Sequence, residues 1–327
     1  MSQTPARRRG ALLLPILGAI VCGLGVATQT RINGALGAAL EHGLLAAVIS
    51  FGSGLIIVLV VAALAPSARQ GMRRLIGEIR GGRTPWWYVL GGTGGAMLVF
   101  SQGIVAGVLG VALFSIGVVA GQTLSGTLID RHGFGTMRPR RITAARVVGA
   151  VLALVAVVIA GAGQVTGTAP VWLLVFPFVA GLMIAWQQAA NGQVRDISRS
   201  VIVATTVNFI VGTTVLVVGA LATLAWTGWP ATFPTNPLLY LGGVVGVVFI
   251  ALGSLVVRST GVLVLTLGTI AGQLLGSLVL DVIVPAEGHA LGVTTVIGVA
   301  VILIGVILAS RSGATPASRA PGQSTET

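Results

Sequence analysis

Long apolar runs broken by short polar or proline-bearing links fill the chain. Read as membrane-crossing helices, they fall at 11–30, 43–65, 86–107, 110–129, 145–163, 171–190, 201–226, 238–257, 261–280 and 291–310. Each is near the roughly 20 residues a helix needs to cross about 30 Å of hydrocarbon. Pro66 follows the second run, and Pro85, Pro170 and Pro237 precede the third, sixth and eighth, positions where a missing amide proton costs a helix nothing. Pro15 and Pro177 fall inside runs and predict local kinks. The pattern predicts an all-α polytopic protein of ten transmembrane helices.

Of 327 residues, 55% are hydrophobic and only 8% are charged, against about 25% charged in a soluble globular domain. Such a chain cannot cover a folded surface with solvated side chains, so a soluble enzyme, a secreted module and a disordered scaffold are excluded. A formal net charge of +12 raises the question of nucleic acid. All 19 basic residues are Arg, however, set between apolar runs with none of the interleaved aromatics of a base-stacking surface. No nucleic-acid partner is expected.

With the amino terminus inside, every basic residue except Arg31 falls on the inner side, the asymmetry that orients helices during insertion. It predicts both termini in the cytoplasm and a multi-pass protein of a bacterial-type inner membrane. Arg7, Arg8 and Arg9 before an apolar run also fit a signal peptide. No polar mature domain follows, so that run reads as a first membrane helix. Cys22 stands alone inside it, without the spacing of a disulfide or a metal site.

The chain also repeats itself. At one constant shift Gly23 matches Gly181, Leu24 Leu182, Ala27 Ala185, Gln29 Gln187, Asn33 Asn191, Gly34 Gly192, Phe51 Phe209 and Gly54 Gly212. At a second shift Leu90 matches Leu241, Gly95 Gly246, Gly110 Gly261, Gly117 Gly268, the run Ala120 to Gln122 matches Ala271 to Gln273, and Asp130 matches Asp281. Shared Gln, Asn and Asp in one frame are hard to obtain by chance from apolar sequence. Five crossings per half is odd, so the halves enter the membrane from opposite sides, an arrangement many secondary transporters use. The expected units are 1–163, a five-helix repeat with a short basic amino end; 164–310, its inverted counterpart; and 311–327, a disordered cytoplasmic tail.

Each half opens with Q-x-x-x-N-G, Gln29 to Gly34 and Gln187 to Gly192, and carries G-x-x-x-G-Q in its fourth helix, Gly117 to Gln122 and Gly268 to Gln273. On these motifs the chain resembles the drug/metabolite transporter superfamily, nearest to inner-membrane exporters of the YdcZ type. The resemblance implies ten helices, cytoplasmic termini, a central cavity built largely by the first, third and fourth helices of each half, and export of small organic solutes.

Polar residues inside the runs supply the candidate site. Gln122 and Gln273 each stand twelfth in a run, about 16 Å along the helix and so near the bilayer midplane, where such transporters hold substrate. The alternative for both is interhelical bonding without ligand. Gln29 and Asn33 are expected at the outer end of the first helix, and Gln187 and Asn191 at the inner end of the sixth, either as polar lids over two mouths or as helix caps. Gln102 and Asn208 are further embedded amides, and Trp186 could stack on a flat or cationic ligand. Gly103 with Gly107, Gly117 with Gly121, Gly268 with Gly272 and Gly272 with Gly276 are spaced for close helix packing.

No acid sits mid-span, so the candidates for proton coupling are peripheral: Asp281 and Glu41, with capping or an Arg pairing as the competing role of Asp281. A chain without Lys has no nucleotide-binding P-loop, and no Cys/His cluster occurs, so no cofactor and no ATPase subunit are expected. The leading reading is a secondary transporter exporting a small neutral or cationic metabolite or drug-like solute by alternating access, working as monomer or homodimer. The competing one is a lipid-handling or non-transporting membrane assembly protein. An enzyme is disfavoured for want of paired carboxylates, an activated nucleophile or a metal set.

Overall fold

In the computed structural model, residues 5–135, 143–162, 170–284 and 292–311 are described, and their regular structure is helical throughout. The order is α1 (Pro5–Ala39), α2 (Gly43–Leu64), α3 (Pro66–Arg80), α4 (Trp86–Leu109), α5 (Val111–His132), α6 (Ala144–Ala162), α7 (Val171–Ser198), α8 (Val201–Thr227), α9 (Gly242–Ile283) and α10 (Val293–Arg311). The expected tail 312–327 lies outside the described residues. Among those residues, six helical segments are long and apolar enough to cross a membrane, and Val147–Ala162, Gly242–Gly253 and Val293–Leu308 are shorter apolar helices. The protein is a polytopic, all-α membrane protein.

The expected runs agree with these helices to within a few residues at most ends, with three differences. The first is α3, which occupies a stretch expected to be a loop. Its Ala68, Gly71 and Leu75 recur at helical spacing and are buried, while Arg69, Arg73, Arg74 and Arg80 are exposed, so the segment folds as an amphipathic helix along the bundle end.

The second is α9, whose backbone is helical from Gly242 to Ile283 although two runs were expected there. Its contacts divide it into two arms. Along α1, Gly242 meets Asn33, Gly246 meets Gln29 and Gly25 meets Phe249, an antiparallel course, whereas Gly268 meets Ala19, Gly272 meets Ile20 and Gly276 meets Leu24, a parallel one. A Cβ at Gly253 would lie 4.0 Å from Leu265, although a straight helix would separate the two by about 18 Å. The chain therefore doubles back between 256 and 265.

The third concerns α1 and α7, which do not end at their Asn-Gly pairs. Helix α1 continues to Ala39 and α7 to Ser198, because the Asn33 and Asn191 side chains bond to other helices and leave the backbone ladder intact. Neither Asn is the helix cap or unwound end that was expected.

Helix α5 is the centre of the bundle, with every residue from Val111 to Gly121 buried. Phe114 and Ile116 pack with Ala153, Ala156 and Ala160 of α6, with Val299 and Ile302 of α10, and with Leu274 of α9. A second core joins α2, α4 and α8 through Phe51, Val99, Phe209 and Leu216. Small residues let backbones touch: side chains at Gly121 and Gly272 would run into the backbones of Phe178 and Ile20. In lipid, where association relies on packing rather than hydrophobic burial, this contact holds helices together. Exposed Val, Leu and Ile cover the outside, with Trp86 and Trp87 exposed at the α3 end and Trp172, Trp226 and Trp229 at the far end, as in interfacial aromatic belts.

Candidate functional site

A cavity of about 330 Å³ opens within the bundle between α1, α2, α4, α5, α7, α8 and both arms of α9. It is lined in sequence-matched pairs: Gln29 with Gln187, Gln122 with Gln273, Phe51 with Phe209, and Gly95 with Gly246. The Phe51 and Phe209 rings meet with centroids 4.9 Å apart. The packing that builds the walls is matched as well. Gly23 lies on the backbone of Thr269 and Gln273, and Gly181 on that of Val118 and Gln122. Among the described lining residues none is charged; amides, threonines, aromatics and aliphatics make the surface, the usual balance of a small-molecule pocket.

Six of the nine expected substrate contacts reach this cavity: Gln29, Gln122, Gln187, Asn191, Asn208 and Gln273. Gln102, Asn33 and Trp186 are not among its lining residues. Helices of the second position contribute more than the resemblance implied, through Phe51, Thr205, Asn208 and Phe209. The register of Phe51 with Phe209 was the sequence signal for the aromatic pair; Thr205 had none.

The two ends of the cavity differ. At the far end, Asn33 Nδ2 donates to Gln102 Oε1 at 2.7 Å, Gln102 Nε2 donates to Thr30 Oγ1 at 2.9 Å, and Gln29 Nε2 donates to the Gly242 carbonyl at 2.9 Å. Thr30, Asn33 and Gln102 are all 0% exposed. Below this chain Gly34 and Gly37 press onto Ala106, Gly107 and Gly103 of α4, where residues Gln102–Ala106 form a π-helical turn. Such turns are frequent at functional positions because they re-aim side chains.

At the α3 end, Gln187 Nε2 and Asn191 Nδ2 donate to the one Asn208 Oδ1, at 2.6 and 3.0 Å. Gln188 is exposed, and Asn191 and Gly192 are half-buried. A Cβ at Gly192 would meet nothing within 4 Å among the described residues, although its match Gly34 is sealed.

Among the described residues, two lining amides hold buried atoms without a partner: Gln273 Nε2 and Gln187 Oε1. A buried polar group left unbonded costs about 1–3 kcal/mol, so one donor and one acceptor are left unsatisfied at the cavity wall.

The two expected coupling acids lie elsewhere. Glu41 is exposed in the α1–α2 link. Asp281 is buried, and its Oδ1 and Oδ2 accept from the Val111 and Ala112 N–H groups at 2.8 and 2.7 Å. The carboxylate thus satisfies the start of α5, where the helix dipole favours negative charge. Gly110, at φ +79°, makes the turn that presents these amides. Asp281→Asn replaces one acceptor by a donor facing an N–H, so thermal unfolding in detergent is expected to show a loss of about 2 kcal/mol, with no change in the pH dependence of transport. Among the described residues no three His, Cys, Asp or Glu side chains are placed to hold a metal ion.

Comparison with known proteins gives the same picture of fold and class. A family model described as "Putative inner membrane exporter, YdcZ" matches residues 14–159 and 172–308. One crystal structure of a protein aligns with 92% of this chain and 98% of its own, at a TM-score of 0.53 and 20% sequence identity, a likeness of fold. No curated protein matches the chain.

Proposed function

The chain belongs to the YdcZ family of inner-membrane exporters, and we propose that it moves a small organic solute across that membrane by alternating access to the central cavity. The observation that carries this reading is the unequal closure of two matched ends. Gly34 is sealed on α4 while Gly192 is open, and Thr30 is fully buried while its match Gln188 is exposed. A pore would be open at both ends and a structural bundle closed at both. A transporter made of inverted repeats adopts a second state by exchanging the conformations of its halves.

Separate family matches over 14–159 and 172–308 support two repeats divided near residue 163. The doubled-back α9 supports ten crossings, with α1 as the first. Arginines crowd the α3 end, including Arg73, Arg74, Arg80, Arg83, Arg131, Arg195 and Arg199, which supports that end as cytoplasmic with both termini there. The cavity is then open to the cytoplasm, as an exporter loading its substrate requires. Its uncharged lining favours neutral solutes, with cations held by the faces of Phe51 and Phe209 as the other option. One chain encloses the cavity, which supports a monomeric transport unit.

The test is cysteine accessibility in a Cys22→Ser background. Thr205→Cys is expected to react with a membrane-impermeant maleimide from the cytoplasmic face alone. Thr30→Cys, in the sealed end, is expected to resist labelling from the outer face by about tenfold or more, a 1.4 kcal/mol bias between states. Equal labelling of both positions from both faces would mean a continuous pore and end the proposal.

A further inference from the structure

Helix α3 is tied to the membrane surface by its connections. A single residue, Ala65, separates it from the end of α2, and Pro66 starts its first turn. Its buried face packs at the α7–α8 junction, where a Cβ at Gly71 would fall 2.8 Å from the Ser198 carbonyl oxygen and Leu75 clusters with Tyr88, Val194 and Val203. The helix therefore sits beside the end of α2, against the α7–α8 junction.

The opposite face carries Arg69, Arg73, Ile76 and Arg80 in one stripe, four, three and four residues apart, with Arg74 beside it. From Arg69 to Arg83 there are five arginines and one acid, Glu78. That acid is already engaged. The Arg83 Nε and Nη2 atoms each reach a Glu78 oxygen at 2.9 Å, and this pairing holds the Glu78 carboxyl below its ordinary range. The other nearby acid, Asp196, pairs with Arg195 at 3.1 Å. Among the described residues, Arg73, Arg74 and Arg80 have no ion-pair partner. Arg74 shares a polar surface pocket with Glu78, Asp196 and Arg199, where both acids are already paired, and no other ion pair among the described residues reaches Arg73 or Arg80.

The chemistry of a partner for these cations follows from what sits among them. Ile76 is 42% exposed between Arg73 and Arg80, and Trp86 and Trp87, 62% and 38% exposed, stand just past the end of the helix. A soluble inorganic anion gives these apolar side chains nothing. Lipid headgroups give both: phosphates for guanidinium forks and an acyl boundary for Ile and Trp, as amphipathic interfacial helices use them.

We propose that α3 is a binding surface for anionic phospholipid, its Arg73, Arg74 and Arg80 holding headgroup phosphates while Ile76 and the two tryptophans enter the acyl boundary. The surface is separate from the central cavity and does not depend on what the cavity carries.

The experiment uses the full chain in nanodiscs of phosphatidylcholine with or without phosphatidylglycerol, followed by native mass spectrometry of retained lipid and quenching of tryptophan by brominated phosphatidylglycerol. The unaltered chain is expected to retain phosphatidylglycerol over phosphatidylcholine by about fivefold, a modest charge-based preference of 1 kcal/mol. The triple variant Arg73→Gln, Arg74→Gln, Arg80→Gln should lose that preference, and the matching triple change to Lys should keep most of it. Equal retention of the two lipids by the unaltered chain would overturn the proposal, whether or not the Gln variant inserts. So would a Gln variant with unchanged preference, or displacement of the lipid by millimolar inorganic phosphate, which would mark a site for free anions.

Discussion

Export by the Gln273→Leu variant is expected to fall about tenfold, the weight of one ligand hydrogen bond near 1.4 kcal/mol, while the protein unfolds at the same temperature or a higher one. The two halves of this expectation rest on the same atom. Gln273 is 4% exposed, lines the cavity and has an Nε2 without a partner. If the amide served to join helices, its removal would break a bond and lower stability. It breaks none, and leucine of similar size relieves a desolvated donor that costs about 1–3 kcal/mol.

Gln122 provides the internal comparison. Its Nε2 already lies 3.4 Å from Gln188 Oε1, a long contact, so Gln122→Leu should weaken export less and leave stability nearly unchanged. Untargeted metabolite export from cells holding equal membrane levels of each protein, with a thermal scan of the purified variants, reads both quantities. Normal export by Gln273→Leu would remove the amide from the site, and a sharp loss of stability would make it structural.

Much of the fold was legible because lipid imposes one rule. Backbone groups in hydrocarbon must bond within their own helix, so apolar runs of the right length could be read as helices from their ends alone. The stretch 66–85 escaped that rule because α3 lies along the bundle and not across it, and its Arg content read as a loop. The α9 reversal shows the converse case: two apolar runs were expected there, and the two arms of α9 run antiparallel and parallel to α1. The candidate site was legible where it is repeated. Gln29, Gln187, Gln122 and Gln273 were found because each has a partner in register. Gln102, whose match is Gly253, was found as an embedded amide, but its place in the sealed end and not in the cavity depends on which ends touch. That is a property of the conformation, which no periodicity encodes.

The same asymmetry yields the second large effect. Gly192→Leu is expected to leave folding intact within about 0.5 kcal/mol, as at open surface positions, and to lower export by roughly five- to 150-fold. A side chain at Gly192 meets nothing within 4 Å in this state. In the exchanged state Gly192 takes the environment that Gly34 has now. Overpacking costs about 1–3 kcal/mol, enough to shift a two-state equilibrium by roughly five- to 150-fold, here toward the state open at the α3 end. Gly34→Leu should act in the opposite direction, because its Cβ would fall 2.9 Å from the Ala106 Cβ and 2.8 Å from the Gly107 nitrogen. It should pry the sealed end apart and raise labelling of Thr30→Cys from the outer face. Opposite shifts in accessibility from two glycines matched in sequence are what exchange of conformation between the halves requires. If both substitutions merely lower the yield of folded protein, or if Gly192→Leu exports normally, the two ends do not alternate.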